Sequence, residues 1–175
     1  EIQTGLGRTG KLFASEYEGV RPDMVIIGKA LSGGFYPVSA VLADAELLGL
    51  FEPGEHGSTF GGNPLAAAVA RASLQVIVEE KLIENAYQLG EYFVDQLTEI
   101  NSPHVKEVRG RCLLIGVELK PEAGGARRFC EELKREGILA KETHQHVIRF
   151  APPLVIDKGT IDWALPKITR VLHMP

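Results

Sequence analysis

Lys29 follows the apolar run Met24-Val25-Ile26-Ile27-Gly28 and precedes Ala30-Leu31-Ser32-Gly33-Gly34. An amine placed between a short apolar strand and a Gly-rich loop is badly sited for an ordinary solvated charge. Desolvation disfavours the ammonium form and leaves a free amine able to attack a carbonyl and form a Schiff base. A strand-end lysine that snorkels to water explains the position equally well. Gly57-Ser58-Thr59-Phe60-Gly61-Gly62-Asn63-Pro64 puts two hydroxyls and small residues ahead of a helix start. Backbone N–H groups and hydroxyls at such a place can take an anion, most naturally phosphate, although a plain capped loop is the simpler local reading. Arg149, within Val147-Ile148-Arg149-Phe150-Ala151-Pro152-Pro153, alternates to the face opposite Ile148 and Phe150. A guanidinium there could clamp a carboxylate bidentately, and a structural ion pair is the simpler reading of the residues alone.

Other patterns carry less. Gly5-Leu6-Gly7-Arg8-Thr9-Gly10 matches G-x-G-x-x-G, the letters of a dinucleotide fingerprint. That fingerprint needs a strand before it and a long helix after it. Only four residues precede it, and the polar segment that follows soon meets Pro22, so a tight loop near a ligand is expected instead. His144 and His146 have an H-x-H spacing with no third ligand nearby, which predicts a polar turn and no metal site. His56 reads as structural. Cys112 and Cys130 form no metal-type spacing and read as reduced, packed thiols.

The elements that must position these groups follow from periodicity. The chain has 175 residues, 19 Lys plus Arg, 23 Asp plus Glu, a net charge of −4 and 45% hydrophobic residues. A chain near this length buries about 68–70% of its unfolded surface, so a real core is expected. Its 24% charged residues and mildly acidic balance exclude a disordered chain and give no basic footprint for nucleic acid. No apolar run approaches the roughly 20 residues of a membrane span. Met24 to Gly28 reads as a fully buried strand, Val38 to Ala43 as a second, and Asp44 to Leu50 as a short helix capped by Asp44. Asn63-Pro64 opens a helix running to about Val78, with Asn as cap and Pro at the first position. Leu82, Ala86, Leu89, Phe93 and Leu97 mark a second helix from Lys81 to about Ile100, in which Gly90 is a weak point worth about 1 kcal/mol. Beyond it, strands at 105–109, 113–119 and 147–150 and helices at 126–136 and 160–172 predict a small α+β domain. The polar Asn101-Ser102-Pro103 places a boundary between 1–101 and 102–175.

Taken together, three segments closely resemble the class III (subgroup II) pyridoxal-phosphate aminotransferases. They are Glu1 to Gly10, Pro22-Asp23 through Lys29 to Gly34, and Gly57 to Pro64. Tyr36-Pro37-Val38-Ser39-Ala40-Val41, Gly54 to Thr59, Leu139-Ala140-Lys141 with Thr143-His144, and Ile148 to Leu154 narrow the likeness to the ornithine-using subfamily. The likeness covers the entire chain. It implies an α/β architecture: the C-terminal part of a fold-type I PLP transferase large domain with its linking helix, then a small α+β C-terminal domain. Pyridoxal 5'-phosphate would be the cofactor. Lys29 would be the Schiff-base lysine and the base that shuttles a proton, and Gln3 would contact the cofactor near its 3′ oxygen. Ser58 and Thr59 would bind the cofactor phosphate from the neighbouring subunit of a homodimer, and Arg149 would take the α-carboxylate of a 2-oxo acid. The activity implied is transfer of the δ-amino group of ornithine to 2-oxoglutarate, giving glutamate semialdehyde and glutamate.

The same resemblance exposes a departure. The family motif has an Asp just before the position of Glu1, where it pairs with the pyridinium nitrogen and lets the ring act as an electron sink. That Asp, the upstream phosphate cup and the aromatic ring that stacks on the cofactor have no counterpart in these residues. The chain is therefore expected to be the C-terminal half of an enzyme and to be inactive alone. Acetylornithine or 4-aminobutyrate aminotransferase, a non-catalytic module that keeps the fold, and a dinucleotide-binding protein are the rival readings. Cytoplasmic location is expected for a bacterial source and the mitochondrial matrix for a eukaryotic one.

Overall fold

The computed structural model describes residues 1–175 and divides into two compact units, Glu1–Ile83 and Glu84–Pro175. In the first unit, the Gly-rich opening is a succession of turns. The Gly5 N–H donates to the Glu1 carbonyl at 3.0 Å, Leu6 N–H to the Leu12 carbonyl at 2.7 Å, and the Tyr17 hydroxyl to the Thr9 carbonyl at 2.6 Å. Leu6 itself takes φ 60°, in the left-handed region. No strand precedes G-x-G-x-x-G, and only a 3-10 turn at Ala14–Glu18 follows it, so the dinucleotide context is absent.

Strand β1 (Met24–Ile27) pairs antiparallel with β2 (Ala40–Ala43), placing Met24 opposite Ala43 and Ile26 opposite Val41. The expected full burial of β1 is not met. Ile27 is buried, but Met24 is 54% exposed, and Ile26 and Val41 on the same face are also exposed. A two-stranded ribbon has two faces and too few neighbours in this unit to cover both. Between the strands, Lys29–Ser32 forms a 3-10 turn where the sequence suggested only a flexible loop. The short helix α1 (Ala45–Leu48) follows Asp44, whose side chain makes no capping bond and instead lies 3.5 Å from Arg21 in an exposed pair. Helix α2 (Pro64–Glu79) begins where Asn63-Pro64 predicts. The Asn63 Oδ1 accepts from the Ala66 N–H at 2.9 Å, satisfying one of the orphan donors of the first turn.

The second unit holds nearly all of α3 (Leu82–Thr98), then β3 (Val105–Arg111), β4 (Leu114–Leu119), α4 (Arg127–Arg135), β5 (Lys141–Thr143), β6 (Val147–Phe150) and α5 (Lys158–Leu172). The sheet order is β3-β4-β6-β5 and every pairing is antiparallel. One core gathers Phe93 and Leu97 of α3, Ile115, Val117 and Leu119 of β4, Phe129 and Leu133 of α4, Ile148 and Phe150 of β6, and Ile161 and Ile168 of α5. The period-2 alternation along β4 and β6 therefore leaves Gly116, Glu118 and Arg149 on the other face of the sheet.

The units divide at Ile83 and Glu84, and α3 buries its apolar stripe in the second core. Two features differ from the sequence reading. Strand β5 was not anticipated, since Lys-Glu-Thr is short and carries no apolar alternation. Gly90 is a requirement and not a weakness: a Cβ there would lie 2.2 Å from the backbone of Cys112. Cys112 and Cys130 are both buried thiols, and burial pushes the Cys130 thiol up to about 11.

Candidate functional site

Lys29 is the first residue after Gly28, whose backbone is extended at φ −175°, and it takes φ 45° itself. A non-Gly residue in the left-handed region costs of the order of 1–3 kcal/mol and persists only where its surroundings hold it. They do so here on both sides. Ile27 and Gly28 are buried before it, and Leu31 and Ser32 after it. The Ser73 hydroxyl of α2 donates to the Ala30 carbonyl at 2.8 Å, which ties the Lys29 turn to that helix. The Lys29 side chain is exposed, and no hydrogen bond or ion pair engages its amine. Burial of this lysine, inferred from the apolar strand before it, is thus not seen in this chain: β1 leaves one face open.

The opening segment runs beside this turn. A Cβ on Gly28 would come within 3.2 Å of Ile2 Cδ1 and 3.4 Å of Ser39 Cβ, so the Ile2 side chain packs closely over the Gly28 backbone. That contact places Gln3, an exposed residue next to Ile2, on the segment that flanks Lys29. Glu1 anchors the segment. Burial works against its ionisation, but hydrogen bonds from the Thr4 hydroxyl and the Ser15 N–H outweigh it and hold the carboxyl below its usual range.

Ser58 and Thr59 lie in an exposed loop just before α2. The Ser58 hydroxyl oxygen accepts from the Gly61 N–H at 2.9 Å and keeps its own proton available to an anion. Asn63 shapes the loop as well as capping the helix. Its Nδ2 donates to the Phe60 carbonyl at 2.7 Å and reaches the Tyr36 hydroxyl at 3.5 Å. Sequence reasoning saw only the cap. The second role depends on Phe60 and Tyr36 meeting in space, for which the sequence has no local signal. A cavity of about 410 Å³ opens between Tyr36 to Ser39 and Phe60 to Asn63. Phe60, one of its walls, is 76% exposed.

Arg149 stands on β6 in the second unit, half-buried, directly opposite Gly116 on β4. The ion pair that the sequence offered as the simpler reading does not form: no carboxylate of the chain pairs with it, whereas Arg109, opposite the other side of Gly116, is held by Glu107 and Glu118. His144 and Gln145, with φ 46° and 60°, form the turn between β5 and β6, and His56 packs its ring 5.5 Å from that of Phe51. Gln3, Lys29, Ser58 and Thr59 thus all belong to the first unit, where α2 carries both the Lys29 turn and the hydroxyl loop. Arg149 belongs to the second.

No helix is long and apolar enough to cross a membrane. The family model described as aminotransferase class-III matches residues 1–172. The ornithine aminotransferase of Bacillus subtilis strain 168 is 61% identical over 173 residues, covering 99% of this chain and 42% of that protein. Among solved structures, the ornithine δ-aminotransferase of Plasmodium falciparum superposes with a TM-score of 0.94 at 45% identity, covering 98% of this chain and 44% of that one. The acetylornithine aminotransferase of Elizabethkingia anophelis superposes with a TM-score of 0.93 at 46% identity, covering 98% and 46%. The chain therefore spans about two fifths of the length of the curated relatives it matches.

Proposed function

Because the chain belongs to the class-III aminotransferase family, we propose that it is the C-terminal segment of an ornithine aminotransferase. In that reading the parent protein transfers the δ-amino group of ornithine to a 2-oxo acid such as 2-oxoglutarate, with pyridoxal 5'-phosphate as cofactor. The observation that carries it is Lys29: an unengaged amine, on a backbone held in a costly conformation, at the end of a strand and against α2.

The residues present fit the cofactor by the chemistry of their donors. The Lys29 amine would hold it covalently, the Ser58 and Thr59 hydroxyls and the loop N–H groups would hold its phosphate, and Gln3 would supply an amide to its ring oxygen. When bound, the group would supply an electron sink at the reacting carbon. Everything else falls to the chain. Lys29 would take a proton at its Nζ and return it, and its reach is set by the fixed backbone beneath it. Arg149 receives the α-carboxylate of the oxo acid as a planar, two-pronged donor, and it is free to do so because no acid of the chain occupies it.

The two-domain description belongs to the same proposal: residues 1–101 would end a large cofactor domain with α3 as its linking helix, and residues 102–175 would be the small C-terminal domain. Ser58 and Thr59 would serve the active site of a second copy in a homodimer. Support comes from the exposed loop that bears them and from Phe35, 90% exposed, and Phe60 on the same unit. A cytoplasmic location fits the bacterial relatives.

The narrower substrate assignment rests on identity to ornithine aminotransferases, and the Elizabethkingia structure keeps acetylornithine as the second reading. Steady-state rates of the full-length protein on ornithine, acetylornithine and 4-aminobutyrate decide between them. Ornithine is expected to have the highest kcat/KM. A higher value for either other amine would transfer the assignment to it.

A further inference from the structure

Several bonds meet at Glu1. Its carbonyl accepts from the Gly5 N–H at 3.0 Å, closing a turn over Ile2, Gln3 and Thr4. Its carboxylate accepts from the Thr4 hydroxyl through Oε2 and, through Oε1, from the Ser15 N–H at 3.0 Å. The half-buried side chain therefore fastens the turn to the 3-10 segment Ala14–Glu18. No lysine or arginine pairs with it. Neutral donors hold the charge, and hydrogen bonds to an ionised acceptor are the stronger kind. Gly5 belongs to the same arrangement, since a Cβ there would lie 2.8 Å from both the Cβ and the carbonyl oxygen of Glu1. The Thr9 hydroxyl, in a residue only 3% exposed, reaches the Thr4 carbonyl at 3.4 Å and braces the far end of the turn. The residues between have different work. Ile2 seats the turn over Gly28, the residue before Lys29, with its Cδ1 3.2 Å from where a Gly28 Cβ would stand. The Gln3 side chain is exposed and makes no hydrogen bond within the chain.

We propose that Glu1 is a positioning residue: its carboxylate holds the turn in the shape that presents the Gln3 amide to the ring oxygen of pyridoxal phosphate. The inference rests on the reading of Gln3 as a cofactor contact. An exposed glutamine loses rotamer freedom when it binds. A backbone already fixed beneath it adds no further ordering cost, which is the gain that pre-organisation brings. Glu1 acts through the turn, and its effect on the cofactor passes through Gln3.

The test uses the full-length protein, freed of cofactor and titrated with pyridoxal phosphate by visible absorbance. Wild type is compared with Gln3→Ala, Glu1→Ala, Glu1→Gln, Thr4→Val and the double variant Glu1→Ala/Gln3→Ala, and the melting temperature of each cofactor-free protein is recorded. Gln3→Ala is expected to raise the dissociation constant about three- to tenfold, as suits one lost hydrogen bond. Glu1→Ala should raise it by a similar factor. The double variant should bind no more weakly than Gln3→Ala, because two residues that act through one amide are not additive. Glu1→Gln keeps an oxygen acceptor for the Ser15 N–H and an amide that can donate to the Thr4 hydroxyl oxygen, so it should bind as wild type does. Thr4→Val removes one of the donors to the carboxylate with little change of shape. It should raise the constant by a smaller factor, and it decides the question if Glu1→Ala does not fold. Effects that multiply in the double variant overturn the proposal. So does a lowered melting temperature with an unchanged dissociation constant in Glu1→Ala and Thr4→Val, which is the behaviour of a purely structural residue. Either result leaves the Gln3 reading standing if Gln3→Ala weakens binding. An unchanged constant in Gln3→Ala removes that reading and this proposal with it.

Discussion

A Cβ on Gly90 would lie 2.2 Å from the Cα of Cys112, so α3 meets the turn between β3 and β4 through bare backbone. Cys112 occupies that turn with φ 52° and is fully buried. The helix and the hairpin therefore fix each other's positions at a point where neither can move aside. Replacing Gly90 with Ala gains about 1 kcal/mol of helix propensity. Against this stands an overpacking cost of about 1–3 kcal/mol, larger where backbone must shift. Gly90→Ala is expected to destabilise the second unit by up to about 2 kcal/mol net, read from the denaturation midpoint. A stabilised variant would contradict the packing described.

Asn63 does two jobs that substitution can separate. Asn63→Ala loses the cap on α2 and should cost about 1 kcal/mol. Asn63→Asp keeps an Oδ1 acceptor for the Ala66 N–H but loses the Nδ2 donor to the Phe60 carbonyl. It should hold helix stability near wild type while loosening the Ser58 loop and weakening retention of pyridoxal phosphate by the full-length protein, measured by dialysis. Equal cofactor retention in both proteins would show that the loop does not depend on that bond.

His173 ties the end of α5 to the segment after α3. Its Nδ1 lies 2.8 Å from the Thr169 carbonyl and its Nε2 lies 3.0 Å from the Asn101 carbonyl. Two carbonyl acceptors can both be satisfied only by the doubly protonated ring, so these bonds, that to Thr169 foremost, raise its pKa above 6.5. A raised folded-state pKa contributes stability that is fully present below the unfolded pKa and is lost as pH rises through the folded value. The melting temperature of wild type minus that of His173→Gln is therefore expected to be larger at about pH 5.5 than at about pH 8. A difference that does not change with pH would show that the ring is not held as the cation.

The fold and site were legible to different depths. Asn63-Pro64 and the alternation of Val147 to Phe150 are local signals, and the structure starts α2 and β6 at those residues. The four apolar residues of β1 signal burial but not the partner that provides it, so Met24 and Ile26 could not be seen to be exposed in this chain. Strand β5 is held by pairing with β6 and not by its own composition. Whether Arg149 has an ion pair depends on the orientation of Glu142 and Glu118, which the spacing along the sequence does not reveal. Gly90 is the clearest case: its propensity cost is visible in the sequence, and the backbone it must admit is not.

The 175-residue chain alone is expected to show no transamination of ornithine with 2-oxoglutarate. It spans about two fifths of its relatives, and the residues read as cofactor ligands are exposed in the first unit. Detectable turnover by the purified chain, scaling with its concentration, would mean that these residues suffice for the chemistry.

The central claim is that Lys29 carries the cofactor, and one measurement addresses it directly. The full-length protein is loaded with pyridoxal phosphate, reduced with borohydride, and its denatured mass and peptide map are recorded for wild type and for Lys29→Arg. The account predicts one pyridoxyl-phosphate adduct per chain, on Lys29, and none in the variant. An adduct on another lysine, or none in the wild-type protein, would contradict it.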